Sequence, residues 1–246
     1  MNTAGESAAI LGAAFAHAAA HRRRLLKPAV GVFLLFFALH QLLDPALLQA
    51  PGGLHGWRQA AAIVGALLAL VAIPSYAVLN HRLVMFGPEA SVDVRPGFGA
   101  VELRYVARLV LIAALAAIAA RLAAAALGGA GDIPAALQGA LTFAVAAGVV
   151  AACSLSLPLT VRGRTQPILS SVTTLTRHVP LAAALALACI VPLWAANKGV
   201  FVVGLLWPGG WRWTAASAAL ALVDLAAFTF LPAILSLLER RVTTDA

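Results

Sequence analysis

Apolar residues run almost unbroken through positions 28–48, 59–80, 105–127, 134–160, 179–197 and 213–238, and the short stretches between them hold most of the charged residues. A helix of about 20 residues rising 1.5 Å each matches the ~30 Å hydrocarbon core of a bilayer. In hydrocarbon every backbone N–H and C=O must be bonded internally, so runs without strand alternation predict helices. The pattern therefore predicts an all-α fold, a polytopic membrane helix bundle of six spans arranged as three hairpins. The run 199–207, VFVVGLLW after Gly199, is too short to cross alone. It reads as an interfacial piece after span five, with a long tilted span from 179 to 207 as the alternative.

The even-numbered spans share features. PGGLHGWRQAA opens span two and PGGWRWTAA opens span six, while Pro74, Pro158 and Pro232 precede the basic ends of spans two, four and six. Each proline removes a backbone donor and favours a kink. This matches a threefold hairpin repeat, although Gly, Pro and Trp also recur at membrane interfaces without any repeat.

Composition agrees with the bilayer reading: 62% of the 246 residues are hydrophobic and 11% charged. The net charge of +8 does not indicate nucleic acid, because Lys and Arg form short groups between apolar runs instead of a basic face. Their distribution predicts orientation. Thirteen of the 17 Lys and Arg fall on one side of the six spans, namely Arg22, Arg23, Arg24, Lys27, Arg82, Arg95, Arg104, Arg108, Arg162, Arg164, Arg177, Arg240 and Arg241. The positive-inside rule makes that side, with both termini, cytoplasmic. Trp57, Trp194, Trp207, Trp211 and Trp213 then lie at the outer ends, where indole rings prefer the headgroup level.

The chain divides into a basic N-terminal segment 1–27, a membrane domain 28–238 and a cytoplasmic tail 239–246. Ile10, Leu11, Phe15 and Ala18 can share a helix face that ends in HRRRLLK, which predicts an interfacial helix beside anionic lipid. The basic group follows the weakly apolar stretch, the reverse of a secretory signal. Cys153 and Cys189 fall inside apolar runs without metal-type spacing.

Few polar residues interrupt the spans. Asp224 lies near the middle of span six, where a carboxylate costs roughly 2.5–3.5 kcal/mol on insertion scales and requires a partner. Arg121 of span three is the expected partner, making Arg121 and Asp224 either an interhelical lock or a proton or ligand site. His40 and Asp44, four residues apart on span one, share a helix face. They form a candidate outer polar site, to which Gln41, Gln138, Asn197 and Lys198 could contribute. No metal site and no cofactor are expected, since the histidines are scattered in depth and P-loop, HExxH and GxSxG motifs are absent from the sequence.

The stretch NHRLVMFGPEASVDVRPGFGAVELRYVAR at 80–108 and SLSLPLTVRGRTQPILSSVTTLTRHV at 154–179 carry a likeness. They resemble a group of small six-span inner-membrane proteins common in alphaproteobacteria, whose nearest named relative is the membrane domain attached to some bacterial glycerophosphodiester phosphodiesterases. Thr176 and Arg177 match that group's Thr-Arg pair before span five, whereas Val172 stands near the place of its usual aromatic residue. The resemblance implies the bacterial inner membrane and a six-span fold, and it carries over no phosphodiesterase activity.

These observations predict a non-catalytic membrane protein, a scaffold, assembly factor or regulator working through lateral or cytoplasmic contacts. Its partners would be the bilayer and a membrane protein or a second copy, not nucleic acid. Arg82, Arg95, Arg104, Arg108, Arg162, Arg164 and Arg177 are the candidate cytoplasmic or lipid-headgroup contacts. The alternative is a small secondary transporter or permease using Asp224 and Arg121.

Overall fold

The computed structural model describes residues 3–42, 56–88, 99–128, 134–164, 167–206 and 210–244. The helices are α1 (Thr3–Ala20), α2 (Arg22–Leu42), α3 (Trp57–Phe86), α4 (Ala100–Gly128), α5 (Ala135–Ser154), α6 (Ser156–Val161), α7 (Pro167–Arg177), α8 (Val179–Leu185), α9 (Val191–Leu206) and α10 (Gly210–Thr244), with a π-helical turn at Ala186–Ile190 before α9. Among the described residues there is no strand. Six segments are long and apolar enough to cross a bilayer: Arg22–Leu42, Gln59–Phe86, Ala100–Gly128, Leu137–Val161, Val179–Leu206 and Gly210–Thr243. The chain is a multi-pass integral membrane protein built as an all-α bundle.

Successive spans pack as pairs: α2 with α3, α4 with α5, and α9 with α10. The C-terminal helix α10 is the common neighbour, touching α1, α2, α3, α6 and α9. Glu6 of α1 bonds to Arg241 of α10 at 3.2 Å, so the two chain ends share one end of the bundle. We call this the terminal end and the opposite one the far end.

The prolines act differently according to their surroundings. Pro158 lies four residues after Ser154, where its ring would meet the Ser154 carbonyl, and the helix breaks at Leu155 between α5 and α6. Pro192 stands in the same relation to Ala188, inside the π-helical turn. Pro74 and Pro232 are accommodated within the continuous helices α3 and α10. Gly87 closes α3 at φ 79°, a left-handed conformation that glycine adopts without a Cβ penalty.

Two expectations change. Residues 199–206 continue α9, so span five runs from Val179 to Leu206, and the short apolar run is not a separate interfacial piece. A π turn lets the helix pass Pro192 and remain a single crossing. Helix α1 is docked on the bundle: Ser7, Ile10 and Ala14 are its buried face. Ile10 and Ala14 enter a core with Leu181, Leu185, Ala233, Ile234 and Leu238 of α8 and α10. Phe15, expected on the apolar face, is 60% exposed, although its ring lies 4.5 Å from that of Phe230, tilted by 49°.

A second core joins Ala77 and Val78 of α3 to Tyr105 and Ile112 of α4 and Cys153, Leu157 and Val161 of α5 and α6. A third joins Leu25, Ala29 and Val32 of α2 to Tyr76 and Leu83 of α3. Leu67, Leu68, Val110, Ile118 and Leu122 are exposed on the outside, as expected where acyl chains replace water as the solvent.

Candidate functional site

Asp224 lies 14 residues into α10, about 21 Å along the helix axis. Its Oδ2 is 2.8 Å from His40 Nε2 on α2, and its Oδ1 accepts a bond from Asn197 Nδ2 on α9 at 3.0 Å. An ionised carboxylate only accepts, so the imidazole proton facing it sits on Nε2. Trp213 Nε1 donates to the His40 backbone carbonyl at 3.2 Å, fixing the end of α2 against α10. The His40 and Asp224 side chains are 18% and 24% exposed, so the pair is sheltered without being sealed.

Arg121 is not a partner of Asp224. It is exposed on α4, a helix that packs with α3, α5 and α6, while His40 of α2 and Asn197 of α9 occupy both carboxylate oxygens of Asp224. Depth alone suggested the pairing, and the packing order of the helices overrides it. Asp44 lies outside the described residues, so the four-residue pairing with His40 is not described. Of the other outer polar residues, Asn197 joins Asp224, Gln138 donates to the Ala124 carbonyl at 3.3 Å within the α4–α5 pair, and Lys198 is exposed.

A second group of polar contacts lies toward the terminal end. His81 is fully buried, with Nδ1 2.7 Å from Ser236 Oγ and Nε2 3.1 Å from Tyr105 Oη. A neutral imidazole offers one donor and one acceptor, and two hydroxyls satisfy both. Asn80 donates to the Thr229 carbonyl at 2.5 Å and meets His17 Nε2 at 3.1 Å through Oδ1. Thr229 Oγ1 donates to the Leu225 carbonyl at 2.8 Å, so its single proton is used. Tyr76, 2.8 Å away, is therefore the donor to Thr229.

Glu239 is buried and lies 3.0 Å from Arg162 Nη1. The N–H of that contact is not aimed at the oxygen, so neither carboxylate oxygen receives a well-directed hydrogen bond. Asp224, Thr229, Ser236 and Glu239 all project from α10, and together they tie it to α2, α9, α3 and the turn after α6. The residues missed from sequence had a signal: Thr229, Ser236 and Thr243 recur every seven positions, with Glu239 three after Ser236, a polar stripe along one face.

The candidate basic contacts separate. Arg162 is committed to Glu239. Arg104, Arg108 and Arg164 line one pocket of about 170 Å³ with Thr160, Ala107 and Leu111. Arg82 is half-buried near the end of α3, and Arg177 ends α7. Arg95 lies outside the described residues.

At the centre of the bundle is a cavity of about 220 Å³ lined by residues that include Ile73, Leu109, Leu185, Phe228 and Leu235. Its walls are almost wholly apolar, with the Tyr105 ring and Ser154 among the few polar groups. Among the described residues no three His, Cys, Asp or Glu side chains converge as metal ligands would. In comparisons with known proteins, no family model, no curated protein and no solved structure matches the chain.

Proposed function

We propose that the protein is a non-catalytic membrane scaffold, assembly factor or regulator that works through lateral contacts. The observation carrying this reading is how its costly polar groups are used: within the bundle they bond to one another across helices, and the central cavity is left almost wholly apolar. Such groups fix helix positions. An apolar cavity offers a polar solute no favourable lining.

The surface for lateral contact is the far-end half of the α4–α5 pair. There Leu115, Ile118 and Leu122 of α4 and Leu137, Leu141 and Phe143 of α5 are exposed, with Arg121 exposed among them. A guanidinium in the apolar length of a helix is costly unless it reaches the headgroups or meets an acceptor on another chain. Alanine-rich helices also permit close approach. A photo-crosslinking amino acid at Leu122, activated in intact membranes, tests this. The expected product is a discrete protein adduct, to a second copy or to another membrane protein. Lipid adducts alone at Leu122 and Leu141 would remove the reading.

A second reading is favoured by one observation, the partly exposed His40–Asp224 pair. In a proton-coupled permease this pair would hold the proton, with His40 taking the place expected for Arg121. Proteoliposome flux under a pH gradient separates the readings: background flux, equal in the native protein and Asp224→Asn, rejects the permease.

A further inference from the structure

We propose that the pocket between α4 and α6 binds the phosphate of an anionic phospholipid headgroup. Its lining is Arg104, Ala107, Arg108 and Leu111 of α4, Thr160 of α6 and Arg164 just beyond it. Spacings of four and three residues put Arg104, Arg108 and Leu111 on one helix face. The turn that follows α6 brings in Arg164.

The pocket contains no carboxylate. Arg104 Nε donates to the Ala100 carbonyl at 3.1 Å, which leaves its two terminal amino groups for another acceptor. The acid nearby, Glu239, lies 3.0 Å from Arg162 and attracts Arg164 and Arg240 as well, but it is not part of the pocket lining. Thr160 Oγ1 donates to the Ser156 carbonyl at 2.6 Å, so it presents only lone pairs to the pocket. Three guanidinium groups line about 170 Å³, and a concentration of like charge favours entry of an anion. An oxyanion there would be held by the guanidinium forks, which suit tetrahedral phosphate oxygens.

The surroundings point to a lipid as the source. Leu111 forms the wall nearer the bundle's mid-depth, and Leu103 and Val110 on the adjoining face of α4 are 59% and 58% exposed. The pocket therefore opens among side chains that face acyl chains, one to two turns inside a helix start. Phosphodiesters of the headgroup layer occupy that depth. This inference is independent of the scaffold reading.

Native mass spectrometry of the full chain in a maltoside detergent tests it, using dioctanoyl phosphatidylglycerol, dioctanoyl phosphatidylcholine and inorganic phosphate as probes. Saturable one-to-one phosphatidylglycerol binding is expected, tighter than for phosphatidylcholine. R104Q/R108Q/R164Q should weaken it roughly tenfold or more, and R104K/R108K/R164K by less, because charge is kept while the forks are lost. K198Q, which removes one cation at an exposed site elsewhere, should leave it unchanged. If the triple glutamine variant fails to fold, R104Q and R164Q, both at exposed side chains, should each weaken binding severalfold. Undiminished binding in folded variants overturns the site. Inorganic phosphate binding as tightly as the lipid overturns the lipid assignment.

Discussion

His40 and Asp224, 184 positions apart in the chain, meet at 2.8 Å between α2 and α10, and Asn197 of α9 completes the contact. Three crossings are thus joined at one carboxylate. Polar pairs between membrane helices couple by about 0.6 kcal/mol on average and up to about 1.7. A double-mutant cycle of Asp224→Asn with His40→Gln should give about 1 kcal/mol, read from thermal unfolding in detergent. Arg121→Ala should change stability by less than about 0.5 kcal/mol. A large effect of Arg121→Ala with no coupling between His40 and Asp224 would restore the pairing expected from depth.

Gly204 of α9 faces Trp213 of α10 so closely that an added Cβ would lie 2.8 Å from Cζ3 of the indole and 3.2 Å from the Ala216 Cβ. The ring is buried and its Nε1 is tied to the His40 carbonyl, so it has little freedom to move. Gly204→Val should destabilise by ~1–3 kcal/mol through overpacking, with Gly204→Ala smaller in the same direction. Gly199→Ala, on the same helix with open space around the site, should be neutral or stabilising. Equal melting temperatures for Gly204→Val and the native protein would contradict the close contact.

The six crossings were legible because hydrophobic run length depends on bilayer thickness and on little else. Span five was read short at Lys198, since a lone cation and a following glycine resemble an end; a longer helix tolerates both. Partner choice was less legible. Asp224 announced itself by cost, yet helix depth along the axis says nothing about which helices are neighbours. His81 and Glu239 were passed over because they sit at the ends of runs, where charge is ordinarily solvated; packing by α4, α6 and α10 buries them instead.

Arg162 and Glu239 form the pair at which removal of one partner should cost most. The Glu239 side chain is 2% exposed and that of Arg162 is 27% exposed, so Arg162→Ala leaves a buried carboxylate without its nearest cation. Breaking such a pair costs about 3–5 kcal/mol. The double replacement Arg162→Met with Glu239→Met should recover much of that loss, because it leaves no buried charge unpaired. Circular-dichroism melts of the native protein and the two variants check the order; a double variant weaker than Arg162→Ala would contradict it.

Docking of α1 should respond to pH through His17. Burial holds the His17 imidazole below its ordinary value of 6.5, with the nearby His21 acting in the same direction and the hydrogen bond to Asn80 opposing. A depressed value in the docked state means that undocked chains bind the proton more readily. The His17 contribution is therefore fully present above about pH 6.5 and is lost as pH falls below it. With Cys153 and Cys189 replaced, a cysteine at Ala14, which is 1% exposed, should be protected from a maleimide at pH 7.5 and become reactive as the pH falls below 6.5. His17→Gln should flatten that response. Because the thiolate is the reacting form, rates are read relative to a cysteine at exposed Gly199, and a ratio that does not change with pH would count against it.

The seating of α1 imposes an order on synthesis. Glu6 finds Arg241 across 235 positions, and Ile10 and Ala14 pack into a cluster that includes Ala233, Ile234 and Leu238. At ~5–20 residues per second, roughly 10–50 s separate translation of the two surfaces. During that interval α1 is without its seat on α10, and it must remain reversibly held until α10 has entered the bilayer. Docking of α1 therefore waits on α10, and a chain halted before α10 would expose an unseated α1 to quality control.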